Sequence, residues 1–406
     1  MATTILEIPD EEGALTLVRQ LSKLSIASGN QEDAEQAAEA AEQLLAEGNV
    51  EELVSRIISQ FEALFSQTSE KDIEGYFGLF TSLLRRLPDE SRNLSIKQLA
   101  DIIAANQSHP TLRLRLLGGL YNRLEGTVPE RYDVFTALVN FAVSSKNLEF
   151  ILPQLKDAEA FVKDWNLDAE RQRSFYLLVS TALRESSCST ESYKYLVKYL
   201  ASLQGVEPST LATAKSHAAR AILDAVRLPD VYQVDELVSF EAVRQLSGDS
   251  QYSREYQLLK IFASDKLQSF ISFHEKYSAW FSSSGLNYDD TVRKFRLLSL
   301  CSLAAEHSEI PYETIASTLQ IDESEVEMQV IEAITVKLVE AKLDQLRKTV
   351  SVSFASQRVF GIDQWKDMQK TLLGWKDSMQ SVLSLLMKSR VLPPQAFVDR
   401  IEKVER

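Results

Sequence analysis

Cysteine is nearly absent: Cys188 and Cys301 are the only two among 406 residues, far apart, each within a helix-like apolar pattern. That excludes a disulfide framework or a metal knuckle and predicts two buried free thiols. Glycine (13) and proline (10) are too sparse for a fibrous or low-complexity chain. No stretch approaches the roughly 18–20 uninterrupted apolar residues of a membrane span. The first thirty residues lack a basic start followed by an apolar run, so the chain reads as cytoplasmic, with no membrane partner. The four histidines, His109, His217, His274 and His307, are isolated, and no Gly-rich phosphate loop or dinucleotide fingerprint occurs. A zinc isopeptidase would lack its ligands; we expect no enzyme, cofactor or metal. Basic charge is also short. Lys and Arg number 44 against 58 Asp and Glu, for a net −14, and the first sixty residues hold three basic against twelve acidic side chains. Such a surface repels phosphate backbones.

What the chain does have is helical periodicity. From about Glu12 to Glu306 apolar residues recur at three and four positions, and short separators rich in Gly, Pro, Ser, Asn or Asp divide them. The spacing predicts helices over Glu32–Glu47, Val50–Phe65, Ile73–Leu87, Leu112–Leu124, Tyr132–Val143 and Arg171–Arg184. Gly48-Asn49 and Pro88-Asp89 are physical stops, because Gly and Asn tolerate the left-handed cap and Pro cannot continue the ladder. Helices of this length with short connections pack antiparallel, and many in series form an α-solenoid of irregular helical hairpins. No strict repeat of the tetratricopeptide kind recurs at 34 residues. The stretch Leu228–Ser253, with Pro229-Asp230 and Gly248-Asp249, reads as a joint.

The pattern changes after His307. A helix Thr291–Glu306 precedes a short one, Tyr312–Leu319, opened by Pro311. Asp322-Glu323-Ser324-Glu325 then reads as a capping box ahead of Val326, Val330, Ile331, Ile334 and Leu338. Alternation follows: Leu343 and Leu346, the charged turn Arg347-Lys348, then Val350, Val352 and Phe354, a β-hairpin. Three helices and a hairpin in that order make a winged helix, the only β structure expected. Its usual use would be groove reading. Between Pro311 and Glu340, however, seven acidic residues face only Lys337, which excludes duplex DNA as a partner. The outer hairpin strand offers a backbone edge to a neighbouring chain, with Val350, Val352 and Phe354 as candidate contacts unless alternation turns them inward.

Past Gly361 the chain predicts one long helix. Trp365, Met368, Leu372, Trp375, Met379, Val382 and Leu386 follow at alternating spacings of three and four, a heptad seam that wants another helix. Pro393-Pro394 ends it, and a mobile tail is expected after that. Lys348, Arg358, Lys366, Lys370 and Lys376 give this end a basic surface; Trp365–Arg406 holds eight basic and five acidic residues. A solvated face is the ordinary reading and weak RNA contact the rival one.

Three segments carry a resemblance: Leu258–Ser269, the Ser-Glu-Ile-Pro-Tyr run from Ser308, and Arg358-Val359-Phe360-Gly361-Ile362-Asp363-Gln364-Trp365. Over roughly Val231–Leu386 the chain resembles the PCI family, and more narrowly the branch found in eukaryotic translation initiation factor 3. The resemblance implies a non-catalytic scaffold that joins other PCI subunits through its winged helix and C-terminal helix, and reaches the small ribosomal subunit, messenger RNA and initiator transfer RNA through the complex. A PCI subunit of the signalosome or proteasome lid, or an RNA-binding adaptor, is the alternative. The expected division is a solenoid over 1–230, helical PCI residues 231–306, a winged helix 307–361, an assembly helix 362–390 and a tail 391–406.

Overall fold

The computed structural model describes residues 43–44, 49–124, 130–156, 158–165, 167–206, 208–358 and 361–388. The helix expected over Glu32–Glu47, the Val359-Phe360 pair, Pro393-Pro394 and the tail lie outside the described residues, except for Gln43 and Leu44, which are helical. The chain divides into two compact units, Met1–Asp224 and Ala225–Arg406.

In the first unit the helices are α1 (Val50–Gln67), α2 (Glu70–Leu84), α3 (Asp89–Ala105), α4 (Pro110–Tyr121), α5 (Glu130–Ser144), α6 (Leu152–Lys156), α7 (Ala158–Asp164), α8 (Ala169–Glu185), α9 (Ser189–Ala201) and α10 (Pro208–Thr213). α11 (Lys215–Arg227) contains the division. α1 packs on α3, α3 on α5 and α5 on α8, while α2 packs on α4. Along α1, α3, α5 and α8 each helix therefore packs on its counterpart in the next hairpin, which is the packing of an α-solenoid. Aromatic rings fill the middle of it: Tyr132, Phe135, Trp165 and Phe175 meet in tilted and edge-on pairs at centroid separations of 5.5–6.2 Å. Not every helix stop has the expected chemistry. After α5 and α8 the left-handed residue is Lys146 or Ser187 rather than Gly or Asn.

The second unit continues with α12 (Asp235–Ser239), α13 (Glu241–Arg244), α14 (Ser253–Ser264), α15 (Leu267–Ser283) and α16 (Tyr288–Glu306). Next come β1 (Glu309–Pro311), α17 (Tyr312–Leu319), α18 (Val326–Thr335), β2 (Val339–Asp344), β3 (Thr349–Ala355) and α19 (Ile362–Lys388). Mainly α, with one small sheet among the described residues, the architecture is helical hairpins, winged helix and long terminal helix.

Three expectations are corrected. The sheet has a third strand, β1, in the order β1-β3-β2, where Glu309 and Pro311 pair with Ser351 and Thr349. Asp322 makes no side-chain cap bond, and Glu323–Glu325 form a 3-10 turn, so no capping box closes. Cys188 is half-buried at the start of α9, because the chain turns there through left-handed Ser187; Cys301 is buried, and burial pushes its thiol up to about 12.

Three basic side chains, Arg113 and Lys294 buried and Arg358 half-buried, recur as caps. Arg113, fully buried, donates to the carbonyls of Ile103 (2.7 Å) and Ser108 (2.8 Å) at the end of α3, pairs with Glu62 at 2.8 Å and stacks 3.8 Å over Phe65. The Lys294 Nζ donates to the carbonyls of Ala225 (2.5 Å) and Leu228 (2.6 Å) at the end of α11. Arg358 donates to the carbonyls of Ile261 (2.9 Å), Phe262 (2.7 Å) and Asp265 (3.0 Å) at the end of α14. A helix C-terminus leaves carbonyls unpaired and carries partial negative charge; all three side chains supply the missing donors, and the two guanidinium groups answer the charge as well.

Candidate partner-binding surface

The winged helix is built on one apolar cluster. Leu297, Leu300, Cys301 and Ala304 of α16, Ile315 and Leu319 of α17, and Val326, Val330 and Ala333 of α18 meet Ile310 of β1, Val339 of β2 and Val350 of β3. The hairpin turn is set by Asp344, whose Oδ1 accepts from the N–H groups of Leu346 and Arg347, both at 3.1 Å. Lys348 then takes the left-handed conformation. Leu346, expected to alternate within the strand, stands exposed in that turn.

This arrangement separates the three strand candidates. Val350 is 2% exposed and belongs to the winged-helix core; Val352 packs partly against it; Phe354 is 55% exposed. The edge expected on this strand is not free along Thr349–Ser351, because β3 lies in the middle of the sheet with β1 on one side and β2 on the other. Among the described residues the outer long strand is β2. The physical reason is Ser308-Glu309-Ile310, too short to read as a strand, whose Ser308 carbonyl also accepts from the Val352 N–H at 2.8 Å.

α18 occupies the place of a groove-reading helix, yet its acids are engaged or solvated. Glu323 pairs with Lys348 at 2.9 Å and Glu332 with Arg293 at 2.6 Å. Glu327 accepts from the Tyr312 hydroxyl (3.3 Å) and from Gln345 Nε2 (2.9 Å). No Lys or Arg stands between Pro311 and Val336. The basic surface expected from five residues is also smaller. Arg358 is a cap, stacked 4.7 Å from the Phe295 ring centroid and pushed down to about 10 by burial, and Lys348 is paired.

α19 begins where Gly361 N–H donates to Gln364 Oε1 at 2.9 Å and runs 27 residues to Lys388. Its seam stands open to solvent: Trp375 is 62% and Met379 72% exposed, and Trp365, Met368, Leu372, Val382 and Leu386 are exposed too. Leu373, Leu385 and Met387, which the heptad count left out, add to this apolar surface. They fall between seam positions, so period alone does not single them out. Soluble proteins rarely leave a contiguous apolar stripe of this length in water, so α19 is the candidate surface for association. Among the described residues no group of His, Cys, Asp or Glu could hold a metal, and no helix is long and apolar enough to cross a membrane.

Comparison with known proteins agrees with this geometry. Residues 260–354 match the PCI domain, and residues 358–384 match the family described as eIF3 subunit M, C-terminal helix. The chain is 36% identical to eukaryotic translation initiation factor 3 subunit M of Dictyostelium discoideum, over 87% of its own length and 89% of that protein. To the subunit M of Danio rerio it is 31% identical over 78% of this chain and 83% of the relative. For Homo sapiens the figures are 29%, 84% and 90%.

Proposed function

Because the chain belongs to the eukaryotic translation initiation factor 3 subunit M family, we propose that it is a non-catalytic scaffold subunit of that factor and assembles chiefly through α19. The observation that carries the assembly role is the exposed seam Trp365, Met368, Leu372, Trp375, Met379, Val382 and Leu386. Burying each such side chain against a partner helix releases about 1.5–3 kcal/mol, and because association itself costs about 4–15 kcal/mol, stable assembly draws on most of the seam. Other PCI subunits of the same complex are the partners. The outer edge of β2 and the exposed Phe354 are a second, smaller contact, while Val350 and Val352 act by holding the hairpin in place. Contact with the small ribosomal subunit is indirect, through the complex, which is where messenger RNA and initiator transfer RNA are recruited. The work is cytoplasmic and needs no cofactor or metal.

Tagging the full chain and identifying what copurifies tests this reading. Recovery of initiation-factor subunits is expected; recovery of proteasome-lid or signalosome subunits in their place would overturn it.

A further inference from the structure

The solvent face of α18 is apolar at its centre and acidic at its margin. Met328 is 70% and Ile331 51% exposed, three positions apart and opposite the buried Val326, Val330 and Ala333. Five acids, Asp322, Glu323, Glu325, Glu327 and Glu332, lie between Asp322 and Thr335 with no base among them. The ion pairs to Lys348 and Arg293 compensate Glu323 and Glu332. That leaves Asp322, Glu325 and Glu327 as a net negative rim, and Glu327, one turn before Ile331, is fixed by Tyr312 and Gln345.

The geometry points to a third docking site, separate from α19 and from the sheet edge: the face of α18 receives a basic amphipathic helix of a protein partner. The partner's apolar residues pack on Met328 and Ile331, and its Lys or Arg residues, one turn to either side, meet Glu325 and Glu327. Charge selects this occupant. An acidic helix would be repelled by the rim, and a nucleic acid would meet neither a base nor an unpaired cation on this face. Arg358 and Lys294, which donate to the C-terminal carbonyls of α14 and α11, tie those helix ends to α16 through the Phe295 ring and through Lys294 itself, so the face is presented on a fixed frame.

The test uses the full chain with a photo-crosslinking amino acid at the exposed Ser324, and two synthetic helical peptides that share one apolar stripe but carry Lys or Glu flanks. The Lys-flanked peptide should label α18 about fivefold more strongly than the Glu-flanked one at low salt, the preference shrinking as salt screens the rim. Met328→Ser with Ile331→Ser should abolish labelling with circular dichroism unchanged, and Glu325→Lys should reduce the preference. Equal labelling by both peptides, none by either, or labelling indifferent to Met328 and Ile331 would overturn the proposal. Preferential cross-linking of single-stranded RNA at the same position would do so as well.

Discussion

Replacing Lys294 by Met should change how stability depends on pH. The Lys294 side chain is buried, and burial lowers its pKa from 10.5 to about 7, with Asp230 opposing the shift. Between those values the unfolded chain holds a proton that the folded chain has released, so stability rises with pH across that window. One proton corresponds to a slope of about 1.4 kcal/mol per pH unit, or about 2 kcal/mol between pH 7.5 and 9. Lys294→Met keeps the apolar stem but removes both the titration and the donor to the Ala225 and Leu228 carbonyls, and each carbonyl left without a donor costs about 1–3 kcal/mol. Wild type should therefore gain on the variant as pH rises, by about 4–8 °C in the Tm of the second unit from pH 7.5 to 9. Thermal unfolding of the two full chains at several pH values measures the gap, and lysine carbon NMR locates the titration. A gap that stays flat would show that the carbonyls hold the ammonium near its ordinary pKa, and the reasoning about burial would fail.

Arg113→Met should destabilise the first unit by about 3 kcal/mol, since it takes the donor from the Ile103 and Ser108 carbonyls and leaves Glu62 with Asn106 alone; loss of helical circular dichroism on heating reads it. Val350→Asp should unfold the winged helix by placing a charge in its core, whereas Phe354→Ser should leave the melting curve within about 0.5 kcal/mol of wild type. Hydrogen exchange over β2 and β3 separates the two. Duplex DNA should not bind the full chain in a low-salt mobility assay, because α18 offers no cation to phosphate.

Much of this structure is written in local patterns. The helix Tyr312–Leu319 was legible from Pro311 at its start and the turn before Asp322 at its end. The α19 seam was legible because a heptad is a property of spacing alone. What was not legible depends on distant partners. Whether Val350 or Phe354 faces solvent is decided by α16 and by β1, a three-residue strand with no alternation to betray it. Arg358 reads as one more surface cation until α14 supplies three carbonyls from nearly a hundred residues away. Asp322 and Glu325 match a capping box in sequence, yet the chain closes a 3-10 turn there instead. Lys146 and Ser187 take left-handed conformations that Gly or Asn would have announced.

The central claim, that α19 carries assembly, is tested most directly by Leu372→Asp combined with Trp375→Asp in the tagged full chain, followed by copurification. Both side chains are exposed, so the fold should keep its circular dichroism. The account predicts that the doubly substituted chain no longer recovers the other initiation-factor subunits. Undiminished recovery from the same cells would contradict it and place the assembly surface elsewhere on the molecule.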